Sequence, residues 1–281
     1  MNIPFPVRKQ PQGEASRHAR RAYRSRFSLS QTVFLASIVF LFMPLFVLVL
    51  YSFNESKGMG WTRFSLVWYE KLFLQSDDLW RAFGNSAIVA FSSAGVATVI
   101  GTLGAIGVNW YKFRLKVYVQ AITFLPMILP EIIIGVSLLV FFSGIKLKLG
   151  LVSIFIAHTT FNLPFVYLMV MARLDEFDYS IIEAAHDLGA TERQTLLRVI
   201  LPAAMPGIIS GFLTAITLSL EDFVITFFVS GPGSTTLPLY VYSAIRFGVS
   251  PVINALSVVM ILGTVILTYS LRNFLKYIAA K

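Results

Sequence analysis

Three carboxylates stand in stretches that are otherwise apolar: Glu131, and the adjacent pair Glu221 and Asp222. A charged acid at the centre of a membrane helix costs about 2.5–3.5 kcal/mol on insertion scales, so such a group marks a pathway or a buried partner. Unpaired acids repel an anion, and a cation path is the chemistry they suggest. The histidines are His18, His158 and His186, with no HExxH and no His/carboxylate cluster at metal-ligand spacing, so a metalloenzyme is not indicated. His158 lies alone in an apolar run and reads as a hydrogen-bonded interhelical residue rather than a general base. Cysteine is absent, which excludes disulfides, thiolate metal sites and thiol nucleophiles.

The elements that must position these acids are membrane helices. The chain is 56% hydrophobic and 13% charged with a mean hydropathy of +0.74, far from the roughly 25% charged of a soluble domain. About 20 apolar residues cross about 30 Å of hydrocarbon, and six stretches qualify: Val33 to Phe53, Ser86 to Trp110, Val117 to Ser143, Leu149 to Ala172, Pro206 to Ser230 and Val252 to Arg272. The first is longer than a signal-peptide core and no A-x-A site follows, so it is expected to be retained. Residues 33–281 are expected to form one membrane domain.

The basic character belongs to the tail over residues 1–32, which holds seven Lys/Arg against one acid. Beside an apolar segment such a run reads as a cytoplasmic flank that sets topology rather than a nucleic-acid arm. It also suits anionic lipid of the inner leaflet, at about 1 kcal/mol per basic side chain. The remaining Lys/Arg asymmetry puts both termini in the cytoplasm. Outside lie a long loop from Asn54 to about Asn85, with Trp61, Trp68 and Trp80 expected in the membrane interface, and the turn-rich stretch from Gly231 to Pro238.

Glu131 follows Pro126 and Pro130, which release backbone carbonyls that could face a cavity. On a continuous fifth helix Glu221 shares a face with Thr214 and Thr217, and Asp222 shares another with Ser219 and Thr226. Phe223, Tyr240 and Tyr242 offer cation–π contacts, although packing is the commoner role of an aromatic residue in a membrane helix.

Between the fourth and fifth spans, residues 173–202 read as two short helices. Ser180 and Glu183 are spaced as a capping box, and Ile182 and Ala185 fall on one face. Gly189 suits a left-handed C-terminal cap, Thr191 and Gln194 suit a second capping box, and Pro202 is expected to end or redirect the second helix. A small amphipathic element with Ala184 and Ala185 allowing close approach is suited to dock in a groove of a soluble partner.

Glu183-Ala184-Ala185, Gly189, Val199 and Leu201-Pro202 resemble the EAA motif of ABC importer permeases, with Val199 where isoleucine is usual. The resemblance implies an all-α integral membrane protein of type I ABC importer permease architecture in the bacterial inner membrane, with about six transmembrane helices working by alternating access. It implies that Glu183, Ala184, Ala185, Gly189, Leu201 and Pro202 belong to a coupling helix that sits in a cleft of an ATP-binding subunit. Two copies of that ATPase, a second permease subunit and an extracytoplasmic solute-binding protein are the partners implied. The chain has no GxxxxGK[ST] loop. It is therefore read as a non-enzymatic transport subunit with no cofactor of its own, ATP and Mg being expected on the ATPase.

Three further stretches, Leu218 to Ile225, Val229 to Tyr240 and Arg246 to Leu256, are similar to the spermidine/putrescine permease group, in the branch of its second permease subunit. Glu221 stands where that group commonly has Asp, which keeps the charge, and Val252 replaces a common Glu. A polyamine is the substrate this implies, with a related organic cation or an opine-like solute open. An ion-coupled secondary transporter would also place acids at mid-membrane, but it has no use for the EAA-type loop. A channel would need no docking helix, and the sequence shows no selectivity-filter motif.

Overall fold

The computed structural model describes residues 29–58, 60–110, 114–178, 180–246 and 250–279, with only the backbone at 267 and 271–279. Of the basic tail over residues 1–32, residues 1–28 lie outside the described residues. Among the described residues the regular elements are helices, relieved by one isolated antiparallel bridge between Asn54 and Phe64. The chain divides into two compact units, 1–69 with 254–281, and 70–253.

In the first unit, α1 (Leu29–Ser52) is exposed along almost its whole length, as suits a helix whose solvent is lipid. A turn organised by Asn54 follows. Its side-chain oxygen accepts the Thr62 N–H at 2.9 Å, its side-chain amide donates to the Gly60 carbonyl at 2.9 Å, and its own carbonyl accepts the Trp68 indole N–H at 2.7 Å. Trp68 is therefore buried rather than placed in the membrane interface, because its one donor is used inside the loop. Phe53 completes the packing against Phe64 and Tyr69.

The remaining helices are α2 (Val67–Leu74), α3 (Asp77–Trp110), α4 (Lys116–Ile128), α5 (Glu131–Gly144), α6 (Leu151–Asp175), α7 (Ser180–Asp187), α8 (Glu192–Thr195), α9 (Leu201–Glu221), α10 (Val224–Val229), α11 (Leu237–Arg246) and α12 (Pro251–Ala279). In the second unit α3, α6 and α9 form the core. Lipid tails are as apolar as leucine, so burial alone does not bring such helices together and close backbone approach must. The sequence supplies it with buried Ala90, Ala94, Ala97, Gly101 and Ala105 on α3, and Gly207, Gly211 and Ala215 on α9. A Cβ at Gly101 would lie 2.9 Å from the Val166 side chain, and one at Gly207 would lie 2.8 Å from the Met169 carbonyl. A second cluster joins Ile134 and Phe142 of α5 to Ile154 and Phe161 of α6 and to Ile225 and Val229 of α10.

Among the described residues five helices are long and apolar enough to cross a membrane, and a sixth span is completed if the pair α4 and α5, bent by 109°, is counted as one. The span expected from Val117 to Ser143 is broken at Leu129 and Pro130, which are extended, with ψ of 141° and 135°. Proline restricts the residue before it to extended backbone, which accounts for the position of the break. The fifth span also differs from expectation. It runs from Glu192 through a π-helical turn at Leu196–Ile200 and ends at Glu221 instead of continuing to Ser230. Pro202 lies within this helical run rather than ending it; the wider turn directly before it accommodates the missing N–H.

Candidate functional site

Both helix breaks fall at the acids. Glu131 is the first residue of α5, where the positive end of the helix dipole favours a carboxylate. Glu221 is the last residue of α9, followed by Asp222 in extended conformation with ψ of 121°. A helix C-terminus carries partial negative charge on carbonyls without intrahelical partners, so the Glu221 carboxylate adds to a potential that draws cations. Packing of α5 on α10 brings the two breaks together. Gly135 permits the approach, since a Cβ there would lie 2.7 Å from the Phe228 ring. Glu131 is thereby within electrostatic reach of both Asp222 and Glu221.

The three acids do not share one environment. Glu131 and Glu221 are exposed on the surface of the chain, whereas Asp222 is only 7% exposed. Exposed carboxylates and interrupted backbone at membrane depth are not tolerated against lipid, so this face must line water or meet another protein chain. Thr217, one turn before Glu221 on α9, is exposed on the same side. Beside the break, Phe223 packs on Tyr242 at 4.6 Å between ring centroids, and Phe227 on Phe223 at 5.7 Å.

Asp222 turns inward and caps α10. Its oxygens accept the N–H groups of Ile225 at 3.2 Å and Thr226 at 2.8 Å and the Thr226 hydroxyl at 2.7 Å. His158 of α6 reaches it through Nε2 at 3.0 Å, while His158 Nδ1 meets the Ser219 hydroxyl at 2.7 Å. Ser93 of α3 donates to Ser219 at 3.4 Å. Serine, histidine and aspartate in that order suggest a nucleophile, but Ser219 and His158 are buried in the helix core, where a substrate carbonyl cannot reach the serine. The interhelical role expected of His158 is the one the structure shows. Ser219 and Thr226, placed with Asp222 by helical register, are its partners, and Ser93 had no signal in the sequence because it comes from a helix distant in the chain.

The segment at the other end of the bundle is built from local bonds. α7 is capped by Asp178 rather than by Ser180: Asp178 accepts the Ser180 N–H at 2.9 Å, and this bond with the Ser180 hydroxyl holds its carboxyl below the usual carboxylate range. Gly189 has φ of +82°. Its N–H donates to the His186 carbonyl and that of Ala190 to the Ala185 carbonyl, the Schellman pattern for ending a helix. Thr191 and Gln194 form the expected capping box. Ile182 is buried against the core, while Glu183 and Ala184 are exposed, Ala185 is half-buried, and Ile181 and Leu188 present apolar surface outward. Leu201 is half-buried and Pro202 exposed at the start of α9. Among the described residues no three His, Cys, Asp or Glu side chains converge as a metal site.

Residues 97–281 match the family described as "Binding-protein-dependent transport system inner membrane component". The chain is 42% identical over 238 residues to the spermidine/putrescine transport system permease protein PotC of Haemophilus influenzae, covering 84% of this chain and 92% of that one. It is 42% identical over 241 residues to the putrescine transport system permease protein PotI of Escherichia coli K12, covering 83% and 85%. A chain of a bacterial ABC transporter involved in the import of the acidic polysaccharide alginate has the same fold, with a TM-score of 0.66 at 15% identity over 96% of this chain and 99% of that one.

Proposed function

The chain belongs to the family of inner membrane components of binding-protein-dependent transport systems, and on that premise we propose that it carries putrescine, spermidine or a closely similar polyamine into the cytoplasm as the permease subunit of an ATP-driven importer. The observation that carries the substrate reading is the exposure of Glu131 and Glu221, two carboxylates at helix breaks that the packing of α5 on α10 draws together. A polyamine is a flexible chain with an ammonium at each end. Two separated carboxylates meet its charges in turn, and Phe223 and Tyr242 offer ring faces beside them. The 42% identity to permeases named for spermidine and putrescine supports the same reading.

Weak contacts suit passage, because a site that bound the solute tightly would hold it in the membrane. Affinity is assigned to a separate solute-binding protein outside. The exposed face of α9 with Met205, Ile209, Leu213 and Thr217 below Glu221 is assigned to the path or to a second permease subunit that completes it. The segment with Glu183, Ala184, Ala185 and Gly189 couples transport to two copies of a cytoplasmic ATPase, which bind ATP and Mg. Exposed Ile181 and Ala184 on α7, with Leu188 directly after its end, give an apolar stripe at helical spacing, the form of a helix that fits a groove.

The test is uptake of labelled putrescine and spermidine into vesicles carrying the complete complex, with and without ATP. Uptake of either that requires ATP is the expected result. ATP-driven uptake of another solute, with neither polyamine moved, would overturn the substrate reading, and uptake driven by an ion gradient without ATP would overturn the coupling reading.

A further inference from the structure

Among the buried titratable groups that play no part in the transport path described above, one touches both sides of a helix break. It is His158, 2% exposed in the core of α6. Its ring touches both sides of the second break, since Ser219 precedes it on α9, Asp222 lies in it, and Thr226 follows it on α10. Beside an ionised Asp222, which only accepts hydrogen bonds, a neutral His158 ring would carry its proton on Nε2. Nδ1 then accepts the Ser219 hydroxyl, and Ser219 in turn accepts from Ser93. Thr226 spends its own proton on Asp222 and shares the Nε2–H through its lone pair.

Successive helical residues point about 100° apart. Pinning Asp222 inward therefore turns its neighbour Glu221 outward, and a rotation that freed one would displace the other. Resting on the reading that Glu221 faces the solute, we propose that His158 is a positioning residue: by tying Ser219 and Asp222 to α6 it fixes the break between α9 and α10 and so holds Glu221 on the path. Asp222 on this account neutralises and caps behind the path instead of lining it. The backbone bonds from Ile225 and Thr226 alone would leave Asp222 fixed to α10 but not to α6.

Three histidines in the whole chain make the test clean. In the assembled transporter in lipid, labelled with ¹⁵N-histidine and assigned by the signal lost in His158→Gln, the ring of residue 158 should be the Nε2–H tautomer. Its Nε2 resonance should move in Asp222→Asn and stay in Glu221→Gln. ATP-driven putrescine uptake per assembled complex should fall about tenfold in His158→Leu and recover to within about threefold in His158→Gln, whose amide N–H reaches the same carboxylate. On a Glu221→Gln background His158→Leu should add no further loss, whereas damage that is merely structural would multiply. An Nδ1–H ring, an Nε2 resonance indifferent to Asp222→Asn, or no rescue by glutamine overturns the proposal. Full uptake by Glu221→Gln would instead overturn the path reading, and the ring spectrum and the glutamine rescue would still decide whether His158 holds the break.

Discussion

The segment proposed to couple to the ATPase and the paired membrane breaks both present exposed side chains, but they hold them in different ways. Around α7 and α8 each cap is local: Asp178 with Ser180, Gly189 with His186, Thr191 with Gln194, partners within a turn of each other in sequence. At the second break the local cap of Asp222 on Ile225 and Thr226 is joined by long-range bonds from His158 of α6 to Ser219, Asp222 and Thr226, with Ser93 of α3 behind Ser219. A surface that docks on a partner can draw on water and on that partner for its remaining hydrogen bonds. A break within the membrane meets water only on a face that lines a cavity, so backbone groups freed on its other faces need a donor or acceptor from elsewhere in the protein.

The largest effect should come from replacing Gly189. At φ of +82° a β-branched residue is strongly disfavoured although the space around it is open. Gly189→Val should abolish nearly all ATP-driven uptake while the ATPase continues to turn over, measured in the same vesicles. Full uptake would remove the segment from the coupling account. On the membrane side, Gly135→Leu should come next. It drives a side chain into the Phe228 ring and separates α5 from α10, an overpacking cost of about 1–3 kcal/mol. Uptake should drop about tenfold together with the thermal stability of the complex; unchanged stability would show that the two breaks are not held together at this contact.

These two glycines also show what the sequence could convey. Gly189 was readable as a left-handed cap because its role depends on neighbours in sequence, and so was the Thr191 and Gln194 box. Gly135 carried no signal, since its constraint is a ring 93 positions away in the chain. The spans were legible from hydropathy, because lipid imposes length and apolarity on each helix separately. Their interruptions were not: Pro130 breaks a helix while Pro202 and Pro206 lie within one, and the difference rests on a π-helical turn and on what packs behind each proline. The acids were found by composition. Their division into Glu131 and Glu221 facing out and Asp222 facing His158 needed the fold.

Smaller effects should follow from the local caps. Thr191→Ala removes one cap bond at about 1 kcal/mol, so backbone amide exchange over residues 192–195 should quicken while uptake changes by less than about twofold. A tenfold loss of uptake there would mean that the local caps are part of the transport machinery. The smallest effect is that of pH on the α7 cap. Asp178 is held below the usual carboxylate range, so its contribution is complete at neutral pH and is lost as pH falls through its folded value. Amide exchange at the start of α7 should rise with acid in the parent protein and be insensitive to pH, beyond intrinsic exchange, in Asp178→Asn. An identical profile in both would assign the cap elsewhere.

If Glu131 and Glu221 together carry a cation across the membrane, the most direct test is ATP-driven putrescine uptake by the Glu131→Gln, Glu221→Gln double variant in the complete, assembled complex. A loss of at least about tenfold at equal amounts of complex is expected, since the charges that meet the ammonium groups are gone while shape is kept. Putrescine uptake at the parent rate would contradict the acidic path.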